Sequence, residues 1–196
     1  MRPFLLLLAC LTLISGAALA APSYDAAAVA KIHGGIVDCV GCNLVGADLS
    51  NTCVKAHDLT GANFDGANAT LMCMSFANFT NVTFRGTDLS AANLAGAKMD
   101  GADLTGANFD GANATLMCMS FANFTNVTFR GTELSGANLA GARMDGADLT
   151  GAKTSITSFL GTDLSHVKGL TQAQLDVACS DKDTKLPAGL KIHICS

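Results

Sequence analysis

The stretch Ala62-Asn63-Phe64-Asp65-Gly66 recurs, in residue type, every five positions along most of the chain. Each block is a small residue, then Asp or Asn, then a large apolar residue, then two small or polar residues. Ala47-Asp48-Leu49-Ser50-Asn51 and Ala147-Asp148-Leu149-Thr150-Gly151 are further examples. From Val37 to Val167 the chain divides into such fives without insertion or deletion. Apolar residues at alternating spacings of two and three fit neither a 3.6-residue helical period nor a long strand of period two. They fit a chain that turns a corner every five residues, with the first and third residue of each block pointing inward. Gly or Ser near most corners suits sharp turns. One block cannot bury its own apolar pair, so stability has to come from stacking successive coils.

On these residues the chain resembles the pentapeptide-repeat family, whose motif is A(D/N)LXX. The resemblance implies an all-β fold: a right-handed quadrilateral parallel β-helix, four blocks to a coil. Residues twenty apart would then stack on one face, giving about six and a half coils and a rod roughly 30 Å long. The expected organisation is a signal peptide at 1–20, an N-terminal cap at 21–36, the β-helix at 37–168 and a C-terminal cap at 169–196. Short helices are expected in both caps, one N-capped by Ser23 and ended by Gly34-Gly35, the other beginning at Thr171. Such caps cover the edges that a β-helix would otherwise expose.

The signal reading rests on Arg2, the apolar run Phe4 to Ile14 and Ala18-Leu19-Ala20 before Ala21. It implies export, periplasmic or extracellular. No later apolar run is long enough to span a membrane. The net charge is −4 and one unit more negative without Arg2. With no basic stripe to hold phosphates, direct nucleic-acid binding is not expected.

Residues 58–102 and 103–147 are nearly identical, differing at Asp88/Glu133, Ala91/Gly136 and Lys98/Arg143. Nine blocks are two coils and a quarter in the family geometry. The copy therefore lands one face round from its original, keeping the inward pattern and scrambling the outward one.

Of 8 cysteines, all but Cys10 follow the signal, and an exported chain favours disulfides. Cys39 and Cys42 form a CxxC on inward positions, read as a structural disulfide, with redox use as the alternative. Cys179 and Cys195 are expected to tie the C-terminal cap. In the family geometry Cys53 and Cys73 stack one coil apart and form a weaker disulfide candidate. Cys118 inherits the position without its partner and is the expected free thiol.

Met72-Cys73-Met74 and its copy Met117-Cys118-Met119 have copper-type ligands, but the methionines fall on inward positions and read as core. His33, His57, His166 and His193 are scattered, with His57 in an inward slot. No nucleophile and base can be paired, so neither catalysis, metal nor cofactor is expected. Leu71 and Phe76, with their copies Leu116 and Phe121, fall on outward corners and are the candidate contact residues for a protein partner. The expected function is a non-enzymatic extracytoplasmic scaffold. The alternatives are a DNA mimic protecting DNA gyrase, as the family implies, and a redox or metal protein using the CxxC.

Overall fold

The computed structural model describes residues 23–35, 38–54, 57–191 and 193–194. The signal segment, Val37 and Cys195 lie outside them. Parallel bridges join residues twenty apart, as in the ladder Asn43, Asn63, Thr83, Asp103, Asn123, Arg143 and Asp163. Three further ladders start at Asp48, Cys53 and Asp58. One ladder per side makes a four-sided parallel solenoid, whose extended pieces are single bridging residues flanked by turns.

The block Ala62–Gly66 accounts for every backbone donor. Ala62 N–H closes a turn onto Leu59 O (3.0 Å), and Asn63 N–H reaches back one coil to Cys42 O (2.8 Å). Phe64 and Gly66 donate forward to Thr83 O and Arg85 O, both at 2.8 Å. That leaves Asp65 N–H, which Asn63 Oδ1 accepts at 2.8 Å. The repeated Asp or Asn is therefore a turn-closing acceptor within its own block, which is the physical reason for the motif.

Among the described residues the fifth residue of every block from Gly41 to Gly161 has a left-handed backbone, φ +66° at Gly66 for instance. It stands third in a four-residue turn whose second residue is not left-handed, the pattern of a type II turn. Glycine fills most of these positions for that reason.

Inward, Phe64, Phe79 and Phe84 form a fully buried cluster with ring centroids 4.7 to 5.9 Å apart. Its copy Phe109, Phe124 and Phe129 packs alike, at 5.2 to 6.4 Å. All the methionines from Met72 to Met144 are buried. Where threonine replaces the inward alanine, its hydroxyl must find a partner. Thr87 donates to Phe64 O and Thr132 to Phe109 O, each at 2.7 Å.

Helix α1 (Ala26–His33) buries Ala28 and Ile32, and helix α2 (Gln172–Asp176) buries Leu175. The cap of α1 corrects the sequence reading. Asp25, not Ser23, is the N-cap, accepting from Ala27 and Ala28 N–H. Ser23 lies outside the helix and donates to Val45 O at 3.0 Å. A carboxylate at the N-terminus also meets the positive helix end favourably. Thr171 caps α2 in a capping box with Gln174.

His57 is also corrected. It is half-buried, not inward, with Nδ1 4.0 Å from Asp38 Oδ1. An imidazole fully enclosed without partners would be costly, so the ring stays at the wet edge of the first described coils.

Asp48, Asp58, Asp148, Asp163 and Asp181 are all held below the usual carboxylate range, as is Glu133. The leading cause is a hydroxyl two residues on for all but Asp181, where it is Gly161 N–H. Lowered folded values contribute stability above the ordinary carboxylate value and lose it as pH falls through the lowered ones. The denaturation midpoint should therefore be flat from about pH 8 to 5 and decline below about pH 4. A midpoint that rose on acidification would contradict the assigned turn bonds.

Candidate functional site

The structure puts Leu71, Phe76, Leu116 and Phe121 at the left-handed corner position, with φ between 57° and 60°. They expose 51, 71, 62 and 77 % of their surface. A side chain other than glycine costs roughly 1–2 kcal/mol in this conformation. Leaving a large apolar group in water adds no compensation. Each ring lies along its own corner: Phe76 leans over Gly96 and Phe121 over Gly141, where a Cβ would meet them at 2.5 and 2.6 Å. The fold thus tolerates these four residues without requiring them.

Among the cysteines, Cys39 and Cys42 are joined in a disulfide with Cα atoms 5.4 Å apart. Cys39 is buried and Cys42 half-buried, so the second is less inward than its register suggests. Cys53 and Cys73 are also joined, their Cα atoms 4.3 Å apart on adjacent rungs. Cys179 is disulfide-bonded, and Cys195, its expected partner, lies outside the described residues. Cys118 is a free, partly exposed thiol between Lys98 and Asn138 on its ladder.

Both arginines of the duplicated segments that stand at a fourth block position are paired twice. Arg85 lies between Asp65 (3.1 Å) and Asp103 (3.7 Å), and its copy Arg130 between Asp110 and Asp148 (3.4 Å each). The sequence reading had only the first partner of each, because the second stands on the following coil two positions off the twenty-residue register. Such exposed pairs contribute about 0–1 kcal/mol each. A hollow of about 320 Å³ is lined by Arg143, Asp145, Asp163 and His166 beside Gly141 and Gly161. His166 Nδ1 sits 2.9 Å from Asp145 and Asp163 2.9 Å from Lys185. It places no nucleophile next to a base. Among the described residues no cluster of His, Cys, Asp or Glu could hold a metal ion, and no helix is long and apolar enough to cross a membrane.

The family model for pentapeptide repeats matches residues 42–75, 73–111 and 118–153, in 8 copies. The chain belongs to the pentapeptide-repeat family. Among solved structures it is similar to QnrB1, a plasmid-mediated fluoroquinolone resistance protein, at TM-score 0.55 and 23 % identity. That match covers 72 % of this chain and 81 % of QnrB1. A pentapeptide repeat protein from Nostoc Pcc 7120 matches at TM-score 0.44 and 23 % identity, over 56 % of this chain and 84 % of that one. One from the Arabidopsis thaliana thylakoid lumen matches at 0.34 and 28 %, over 52 % and 68 %. No curated protein matches the sequence. Family and QnrB1 likeness together give the fold as a right-handed quadrilateral β-helix, a repeat scaffold.

Within that scaffold the structure adds a corner residue that the sequence reading missed. Ile156 also has a positive φ, 50°, with 68 % of its surface exposed. Along one corner the fifth-position N–H donates to the following coil, from Phe76 to Ala95 O, Gly96 to Thr115 O and Leu116 to Ser135 O. Gly136 continues to Ser155 O and Ile156 to Val177 O. Phe76, Gly96, Leu116, Gly136 and Ile156 therefore form a single edge of the rod. Counting in twenties from Phe76 would have found Ile156.

The outward pattern is thus not simply scrambled by the duplication. Leu71 and Phe76 stand one corner apart, and the copy is displaced by one corner, so Leu116 arrives on the edge that Phe76 already occupies.

Proposed function

We propose that this chain is an exported, non-enzymatic scaffold that binds a protein partner through the apolar side chains at its corners. The observation that carries the reading is the placement of Leu71, Phe76, Leu116 and Phe121 where the backbone favours glycine and the solvent favours polar groups. A rod of about six and a half coils, closed by a helix at each end, would hold these groups in fixed relation. Disulfides Cys39–Cys42, Cys53–Cys73 and Cys179–Cys195 would suit an oxidising compartment. The chain needs no cofactor for this role.

The test is the intact mass of natively expressed protein, alkylated before reduction. The expected species begins at Ala21, contains three disulfides and carries one alkyl group, on Cys118. A full-length, fully reduced chain would remove export from the reading. Partner capture from the compartment so identified, with wild type against Leu71→Asn and Phe76→Asn, then reads the contact. Equal recovery with both would refute the corner assignment.

Protection of DNA gyrase is the second reading, favoured by the likeness to a fluoroquinolone resistance protein. Addition of excess purified chain to a gyrase supercoiling reaction decides it. Unchanged supercoiling and unchanged quinolone sensitivity would exclude this reading.

A further inference from the structure

The side of the rod at Arg143 and Asp163 is bonded unlike the others. Among the described residues, each other bridge between residues twenty apart carries two backbone hydrogen bonds. The first copy of the duplication shows the ordinary case around Ala97-Lys98-Met99-Asp100-Gly101. There Met99 N–H donates to Cys118 O at 2.6 Å, and Cys118 N–H to Ala97 O at 3.0 Å. The second copy reads Ala142-Arg143-Met144-Asp145-Gly146, with Asp163 opposite Arg143 on the ladder. The equivalent donors, Met144 and Asp163 N–H, make neither bond.

The two copies differ in what is stacked on them. Met117 to Phe121 is a regular coil, whereas Thr162 to His166 is fastened to the C-terminal cap. Leu164 N–H donates to Lys185 O at 2.8 Å, Gly161 N–H to Asp181 Oδ1 at 3.0 Å, and Lys185 Nζ to Asp163 Oδ2 at 2.9 Å. The hollow of about 320 Å³ lies on this same side, with Met144 and Asp163 in its lining. Met144 is buried, and an unmet backbone donor in a buried residue calls for an explanation, of which a bound water or ion is one.

The side chains favour an ion. Arg143 lines the hollow, and its guanidinium has no ion-pair or hydrogen-bond partner, whereas Arg85 and Arg130 are each held between two carboxylates. The carboxylates near Arg143 are engaged elsewhere, Asp145 by His166 Nδ1 and Asp163 by Lys185 Nζ, both at 2.9 Å. A free guanidinium fork beside backbone N–H groups is a donor set that suits an oxyanion. We propose that this hollow binds a small oxyanion, a carboxylate or phosphate group, on the Arg143 guanidinium with Met144 and Asp163 N–H beside it.

The ligand oxygens supply the acceptors that the two N–H groups lack. The first copy offers no second site, since its Met99 and Cys118 N–H are already bonded. The duplication therefore doubled the segment without doubling the site. With one exposed guanidinium and two backbone donors, binding is weak, with a Kd on the order of 0.1–10 mM. The site is separate from the apolar corners, and either reading can fail without the other.

The experiment is an amide proton–nitrogen NMR titration of the purified chain at neutral pH with sodium phosphate and, separately, sodium acetate, ionic strength being held constant with sodium chloride. Saturable shifts centred on the amides of Met144 and Asp163 are expected. Arg143→Gln should weaken the binding about tenfold or more, while Lys98→Gln, at the equivalent position of the first copy, leaves it unchanged. Both positions are exposed, so both variants fold. Saturation by phosphate alone assigns a phosphoryl group, saturation by acetate alone a carboxylate, and either supports the site. No saturable shift up to about 100 mM of either salt, the same shifts with chloride, or equal weakening by Lys98→Gln overturns the proposal. Hydrogen exchange gives a second measurement. Without phosphate or acetate, Met144 and Asp163 amides should exchange faster than those of Met99 and Cys118, and slow when the binding anion is added. Equal protection in the two copies would show this side closed and overturn the proposal as well.

Discussion

Phe84→Ala is expected to lower the stability of the chain by about 3–5 kcal/mol, read as a shift of the chemical-denaturation midpoint at unchanged slope. Phe84 is fully buried and lies between Phe64, stacked at 4.7 Å, and Phe79, edge-on at 5.3 Å. Truncation leaves a void that neighbouring coils cannot close, because every rung is pinned by bonds to the coil before and the coil after. Phe129→Ala, in the copied cluster, should cost a similar amount. A solenoid transmits such losses to adjacent coils only. The two variants together should then be close to additive. A loss below about 1 kcal/mol for Phe84→Ala would mean that the rod does not rely on these clusters.

Gly169→Ala is expected to have the second large effect. Gly169 follows Lys168, the bridging residue opposite Asp148, and leads the chain into α2. Its φ is +68°, and a Cβ there would lie 2.7 Å from both Cα and N of Thr150. The left-handed conformation costs a non-glycine residue about 1–2 kcal/mol. The collision is with backbone, which cannot swing away, and overpacking of that kind adds about 1–3 kcal/mol. Gly66→Ala makes the control: its φ is +66° but no atom lies within 4 Å of the added Cβ. It should show the conformational cost alone. Equal midpoints for the two alanine variants would remove the close approach from the explanation.

The five-residue register was legible because a small inward residue, an Asx and a large apolar residue recur without a break. Nothing in a helix or a long strand produces that spacing. The reason for the Asx was not legible, since it depends on which backbone N–H the corner leaves without a partner. The start of α1 was misplaced by two residues because Ser23 and Asp25 are both good N-caps, and only the tertiary bond of Ser23 to Val45 separates them. His57 was misplaced because register assigns a direction but not the depth of cover.

Corner residues such as Phe76 were legible as outward, and the glycines sharing their register already hinted at the left-handed backbone. What the linear sequence hides is the edge itself. Phe76, Leu116 and Ile156 are forty residues apart and become neighbours only through the twenty-residue coil and the glycines between them.

One measurement separates most directly whether the corner apolars serve contact or folding. It is the denaturation midpoint of a chain with Leu71, Phe76, Leu116 and Phe121 all changed to asparagine, against wild type. The account predicts a variant at least as stable, gaining up to about 1 kcal/mol for each relieved left-handed position. A variant less stable than wild type would show that the packing of Phe76 on Gly96 and Phe121 on Gly141 is itself a folding contact, and the corners would need no partner to explain them.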